Sequence, residues 1–236
     1  MRKWAWYSMA LVAVSSVFAD QFQIPIYRDA EKIFWEKLYE KGGWTLYCGE
    51  RFDSRSSIVI EHVYPMTWAR EHLQCQSEKQ CRQENAQYNR IESDLHNLYP
   101  AMERISQARA DYRFDLISGE YRDFFECDFE HDAHDKLVEP RPAARGNVAR
   151  AIFYMHTEYG LPLDANMLEV LKQWNKQDDP SKDEIRRNDL IEKLQGTRNV
   201  FIDDPSKGDG IGAAVPTEST AEPTTESQSD SEEIGI

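Results

Sequence analysis

The 236-residue sequence has no CxxC pair, no apolar run long enough to cross a bilayer comfortably, no internal repeat and no surplus of positive charge. Each absence closes a class of reading. Four cysteines without CxxC spacing do not read as a zinc ribbon, and a chain without about 20 consecutive apolar residues does not read as an integral membrane protein. With 28 Lys and Arg against 42 Asp and Glu, the formal charge is −14. That balance argues against a polyanion partner, because nonspecific nucleic-acid binding is largely phosphate neutralisation by Lys and Arg. Net charge says little about one groove, however, so a nuclease is disfavoured without being excluded.

What is present begins with MRKWAWYSMALVAVSSVFA, a basic start, a short apolar stretch and small residues at Ser15, Ser16 and Ala19. This pattern predicts a secretory signal peptide over residues 1–19, cut after Ala19, with a periplasmic or secreted product and no membrane attachment after cleavage. The cysteines agree with that compartment. An even count in an oxidising location implies two disulfides, with three possible connectivities. Cys75 and Cys81 enclose a short polar loop and are expected to pair, leaving Cys48 with Cys127.

The mature chain is long enough for one domain with a sizeable core, assigned to residues 20–203. From about Asp203 the apolar periodicity ends, and residues 204–236 form an acidic Ser/Thr/Glu/Pro tail that is expected to be disordered. Within the body, Tyr27 to Glu40 has helical spacing and stops at Gly42-Gly43, while Trp44 to Tyr47 and Ser57 to Val63 read as strands. A long helix from Ala144 closes at Gly160, another starts at the cap Asp164, and Ser181 with Glu184 forms a capping box for a last one ending before Gly196. Helices and strands are segregated along the chain, which predicts an α+β fold.

Two stretches carry chemistry. IVIEHVYP sets Glu61 and His62 side by side where an apolar strand stops before Pro65. A carboxylate offers hard oxygen to a divalent cation, and a neutral imidazole takes a proton from water near pH 7. IESDLHNLYP interleaves Glu92, Asp94, His96 and Asn97 with Ile91, Leu95 and Leu98, positions suited to orienting a base or fixing its tautomer. His131 to Asp135 has a metal-like composition but no evident frame. His72 and His156 read as surface or packed residues, and Arg145 and Arg150 on the long helix are candidate phosphate contacts.

The order IEHVYP, IESDLHNLYPA, EPRPAARGNVARAIFYM, LKQWNKQDD and RRNDLIEKLQGTRNVFID resembles the bacterial endonuclease I family, from about Tyr27 to Asp203. The resemblance implies a mostly helical domain around a small sheet with a ββα-metal finger. It implies an exported nonspecific endonuclease that cleaves DNA, and RNA as well, through backbone contacts and leaves 5′-phosphate ends; separately, a monomer is the expected state. Its single divalent metal would be Mg²⁺, with Mn²⁺ or Ca²⁺ as alternatives. Carried over position by position, His62 is the general base, Glu61 a metal ligand and Glu92 an acid near the base. The cysteine positions also resemble the family's bridged cysteines.

Two departures stand out. Where the family has an Asn metal ligand followed three residues later by Arg, this chain has Ser106 and Arg109, so the Arg is kept and the metal position falls to a hydroxyl. The Cys75 to Cys81 loop is short and lacks the family's Arg that supports the departing phosphate, a role left to Lys79 or Arg82. A catalytically weakened relative that binds nucleic acid or a protein partner, and a zinc-dependent exported hydrolase using His62, are the competing readings.

Overall fold

The computed structural model describes residues 21–119, 123–125 and 127–212; the expected signal peptide and the tail beyond 212 lie outside them. The first helix, α1 (Tyr27–Ile33), continues through a π turn at Phe34–Leu38 and buries Ala30, Phe34 and Trp35. Strands β1 (Gly43–Trp44) and β2 (Arg51–Phe52) pair as a short hairpin. The strand expected from Trp44 to Tyr47 ends early for a physical reason. Thr45 closes a turn onto Glu50, Leu46 N donates to Pro100 O, and Tyr47 is driven into the core between Phe114 and Phe129.

The next strand, β3 (Ile58–His62), runs into Pro65 and α2 (Met66–His72). Two short helices follow, α3 (Glu78–Glu84) capped by Ser77 and α4 (Ala86–Glu92) capped by Asn85. The chain then enters β4 (Leu98–Met102), antiparallel to β3 with Glu61 opposite Tyr99 and His62 opposite Leu98, and turns directly into α5 (Glu103–Arg109). This ββα unit is the frame of the site. A third small sheet joins β5 (Arg113–Phe114), β6 (Phe129–Asp132) and β7 (Leu137–Pro140), with β7 in the centre and β5 parallel to it.

The centre of the body is α6 (Pro142–Tyr159), 18 residues and so about 27 Å long. Its buried residues include an unbroken run from Val148 to Met155, the mark of a helix enclosed on all sides. Gly146 is required there, since its N–H donates to Asp178 and a Cβ would run into the Asp178 carbonyl. Gly160, left-handed at φ +64°, ends α6. Asp164 caps α7 (Ala165–Gln177), and Ser181 caps α8 (Lys182–Gln195), which Gly196 closes.

The expected capping box is only half made. Ser181 accepts from Glu184 N, but the Glu184 carboxylate turns inward to Arg150. Beyond α9 (Val200–Asp203), a 3₁₀ turn at Pro205–Gly210 packs on α6 and α7, where Asn175 donates to Pro205 O and Lys176 pairs with Asp209. The folded body therefore runs past Asp203, where composition places its end. Short sheets between helices make this an α+β fold.

Candidate active site

Glu61 and His62 are neighbours on β3 and lie on opposite sides of it, Glu61 buried and His62 half-buried. Glu61 points to the junction with α5. Its Oε1 accepts from the Tyr47 hydroxyl at 3.1 Å and lies 3.5 Å from Arg109 Nε, and its Oε2 accepts from Ser106 Oγ at 2.5 Å. Ser106 and Arg109 are one helical turn apart, so a single face of α5 brings both onto the carboxylate. Burial pushes the Glu61 pKa up, and Arg109, Ser106 and Tyr47 pull against it.

Arg109 is fully buried. It donates to the carbonyls of Val63 and Ala110 and packs over Phe114 and Trp68, which fixes the guanidinium beside Glu61. Its Nε is nevertheless left without a hydrogen bond, so the carboxylate is attended but not saturated.

On the other side of β3, His62 Nε2 lies 2.9 Å from the main-chain carbonyl of Glu92. A carbonyl can only accept, so Nε2 carries the proton and Nδ1 keeps its lone pair. Burial lowers the His62 pKa, partly offset by the Glu92 carbonyl and carboxylate, so the ring is neutral at pH 7. The Tyr27 ring covers one face of the imidazole, with centroids 5.3 Å apart.

Glu92 reaches the base through its backbone. Its buried carboxylate is clamped by Arg82, with Nε 3.0 Å from both oxygens and Nη2 2.6 Å from Oε1. Arg82 is about half exposed, so this pair ties α3 to the end of α4 at the rim of the site. Lys79, on the same helix, is exposed and has no ion pair among the described residues.

The rest of IESDLHNLYP divides by role. Asn97 accepts from Tyr64 N and donates to Tyr64 O, clasping the turn after His62. Asp94 accepts from Tyr154, Tyr159, Gln195 and the His96 amide, and His96 Nε2 faces Thr197 O. These two brace the core and do not reach the base. Tyr47 and Tyr27 were not legible as site residues; their side chains arrive from outside both motifs, and neither position has a sequence signal.

Arg145 and Arg150, read from the sequence as candidate phosphate contacts, are both engaged within the protein. Arg150 is fully buried and spent on Glu184, Asn175 and the Asp178 carbonyl, while Arg145 pairs with Glu139 at 2.6 Å and lies over Trp174. The helix that carries them is enclosed on all sides, which the charged positions alone did not reveal. His156 Nδ1 faces Leu161 O, consistent with a packed residue. Asp132, His134 and Asp135 offer ligand atoms within 4.8 Å of one another, but at an exposed hairpin turn whose amides Asp132 already binds.

Both bridges form, Cys48 with Cys127 and Cys75 with Cys81. Each lies one residue from a group that holds the site: Cys48 follows Tyr47, and Cys81 precedes Arg82.

A ββα unit with a carboxylate and a backbone-oriented neutral histidine at the same strand end is a hydrolytic arrangement, and comparison with known proteins agrees. The profile of the family described as Endonuclease I matches residues 12–206. This chain belongs to the endonuclease I family. An extracellular deoxyribonuclease of Aeromonas hydrophila is 31% identical over 83% of this chain and 94% of its own length. A periplasmic deoxyribonuclease of the same organism is 32% identical over 71% of this chain and 81% of its own. An extracellular ribonuclease of Bacillus amyloliquefaciens is 36% identical over 50% of this chain and 46% of its own. As an endonuclease I family member the chain is a hydrolytic nuclease. The family and the hard-oxygen groups on the fold point to a divalent cation as its cofactor. No helix among the described residues is long and apolar enough to cross a membrane.

Proposed function

We propose that the protein is an exported endonuclease that hydrolyses the backbone of DNA and also of RNA, with His62 as general base and one divalent cation, Mg²⁺ in the first place. The single observation that carries this is the paired arrangement at the end of β3. Glu61 is buried against Ser106 and Arg109, while next to it the His62 ring is fixed by the Glu92 carbonyl with one nitrogen left to accept a proton. The names of the relatives, deoxyribonucleases and a ribonuclease, extracellular or periplasmic, support the substrate and the location. Backbone-directed chemistry needs no base reading and suits both nucleic acids.

The donors fit a hard cation. A buried carboxylate gains from a positive charge, and its neighbouring hydroxyl is a second hard oxygen. Glu61 and Ser106 would hold the ion, and Arg109 favours the ionised carboxylate against the upward push of burial. When bound, such an ion supplies charge neutralisation at the phosphate and at the departing oxygen.

The chain's own groups do the rest. His62 Nδ1 takes a proton from water as the water oxygen bonds to phosphorus; the bond to the 3′ oxygen breaks with its electron pair on that oxygen, which takes a proton from solvent and leaves as the 3′ hydroxyl, while the phosphate stays on the 5′ end. The Glu92 carbonyl holds the ring in the required tautomer and favours the imidazolium that results. Arg82, by holding Glu92, keeps that carbonyl in place.

The test is nicking of supercoiled plasmid by the oxidised mature protein with Mg²⁺, with and without chelator. His62→Ala is expected to lower the rate by about 10²- to 10⁴-fold with an unchanged melting temperature. Wild-type activity in that variant would refute the assignment.

A further inference from the structure

Most guanidinium groups near the site are already spent within the protein. Arg82 is committed to Glu92, Arg109 to two carbonyls beside Glu61, Arg150 to Glu184 and Arg187 to the carbonyls of Leu95 and Leu98. An enzyme that handles a polyanion with a chain of charge −14 needs uncommitted cations somewhere. The structure gathers three of them in one groove. Arg28, Lys32 and Arg55 are exposed, form no ion pair among the described residues, and line an open groove of about 760 Å³ along the outer side of α1.

The groove is shaped for a strand as well as lined by cations. Arg28 and Lys32 are four residues apart on α1, so they project from one helical face. Arg55 comes from the loop before β3 and is held with its guanidinium 4.9 Å over the Trp35 ring, which limits its freedom before any ligand arrives. Ile26 and Ile58 add apolar wall on which a sugar can rest. The acidic side chains there, Asp29, Glu31 and Glu36, balance the three cations, so the groove is neutral within an acidic molecule.

Its position joins it to the chemistry. Tyr27, the first residue of α1, packs on the His62 ring, and Arg28 follows it into the groove. Ile58 opens β3 and His62 closes it, four residues and about 13 Å apart. That span matches about four nucleotides along one strand of a duplex.

We propose that this groove is an extended binding track for the sugar-phosphate backbone of the nucleic acid being cut, with Arg28, Lys32 and Arg55 contacting phosphates a few nucleotides from the scissile one. The proposal rests on the nuclease reading and adds a substrate-binding surface outside the ββα unit. Strands long enough to reach the groove gain affinity there, without base selectivity.

The test uses the mature protein with His62→Ala, so that binding is measured without cleavage. Fluorescence anisotropy with a labelled duplex gives the slope of log affinity against log salt. Arg28→Gln with Lys32→Gln should flatten that slope by about 1.8, two lost contacts on duplex DNA. A charge-matched control, Lys136→Gln with Lys207→Gln, should keep the wild-type slope. In the His62-intact protein, Arg28→Gln with Lys32→Gln should raise KM for a long duplex more than it lowers kcat. An unchanged slope, or an equal flattening in the control, overturns the track. Failure of intact wild type to cleave the duplex would instead overturn the nuclease reading, since the salt slope is read separately from turnover.

Discussion

Two buried carboxylates face two buried arginines in this molecule, and they are finished differently. Under α6, Glu184 takes Arg150 bidentately at 2.6 and 2.7 Å, and Asn175 and the Asp178 carbonyl occupy another nitrogen of the same guanidinium. At the end of β3, Glu61 lies 3.5 Å from Arg109, whose Nε is left unpaired, and the remaining donors are two hydroxyls. A saturated pair has no capacity for a ligand. An unsaturated one keeps a carboxylate in place by groups that can yield to a cation, so the incomplete pair belongs to the site and the complete one to the scaffold.

Neutralising each carboxylate with little change of shape separates the two pairs most strongly. Glu184→Gln leaves Arg150 charged and buried without its counterion and should cost about 3–5 kcal/mol of stability, visible in chemical denaturation. Glu61→Gln should cost less, about 1–2 kcal/mol, because Glu61 stands 3.5 Å from Arg109 without a hydrogen bond to it, whereas Glu184 holds Arg150 at 2.6 and 2.7 Å. It should nevertheless abolish plasmid nicking, whereas the Glu184 variant, assayed where it is folded, should retain it. Equal stability losses would mean that the two pairs do the same work.

How far the sequence anticipates this division depends on the range of the interaction. Elements set by local signals are legible: the strand ending at His62, the caps Asp164 and Ser181, the stops at Gly160 and Gly196, and the polar cluster after Ile91. The pairing of Glu61 with Ser106 follows from family spacing, because α5 turns straight off β4. Long-range partners are not legible. Tyr47, 14 residues before Glu61, has no local mark of its role. Arg150 looks like a surface arginine until α8, 34 residues on, brings Glu184 to it. The inward turn of Glu184 likewise breaks a capping box that the local pattern alone would complete.

Acid separates scaffold from site a second time. Burial depresses His96 to about 4, against the pull of Asp94, and its Nδ1 has no partner. The unfolded chain therefore binds a proton near pH 6.5 that the folded one refuses. Stability contributed by neutral His96 is complete above pH 6.5 and is lost as pH falls towards 4, by about 3 kcal/mol in all. His62, also lowered by burial, should place the acid limb of activity below pH 6.5, with the rate rising as the ring loses its proton. His96→Gln should flatten the fall of stability with acid and leave the midpoint of the activity limb in place. A shift of both together would join what the hydrogen bonds keep apart.

A milder change is expected at Ser106, where the site departs from its family. Its hydroxyl donates to Glu61, which leaves the oxygen lone pairs for a cation but ties that oxygen to the short reach and the direction of this hydrogen bond. An amide carbonyl has a longer reach and is a stronger oxygen ligand than a hydroxyl, and so meets the ion without that constraint. Ser106→Asn should therefore lower the Mg²⁺ concentration for half-maximal nicking severalfold, with little change in rate at saturating metal. Ser106→Ala should raise it, and should also push the Glu61 pKa further up by removing a donor that now lowers it. If Ser106→Asn has the wild-type metal requirement and Ser106→Ala does too, the hydroxyl serves only to orient Glu61. The cation would then rest on that carboxylate alone among these two residues, which would leave the unsaturated pair even more exposed to the ion than its geometry indicates.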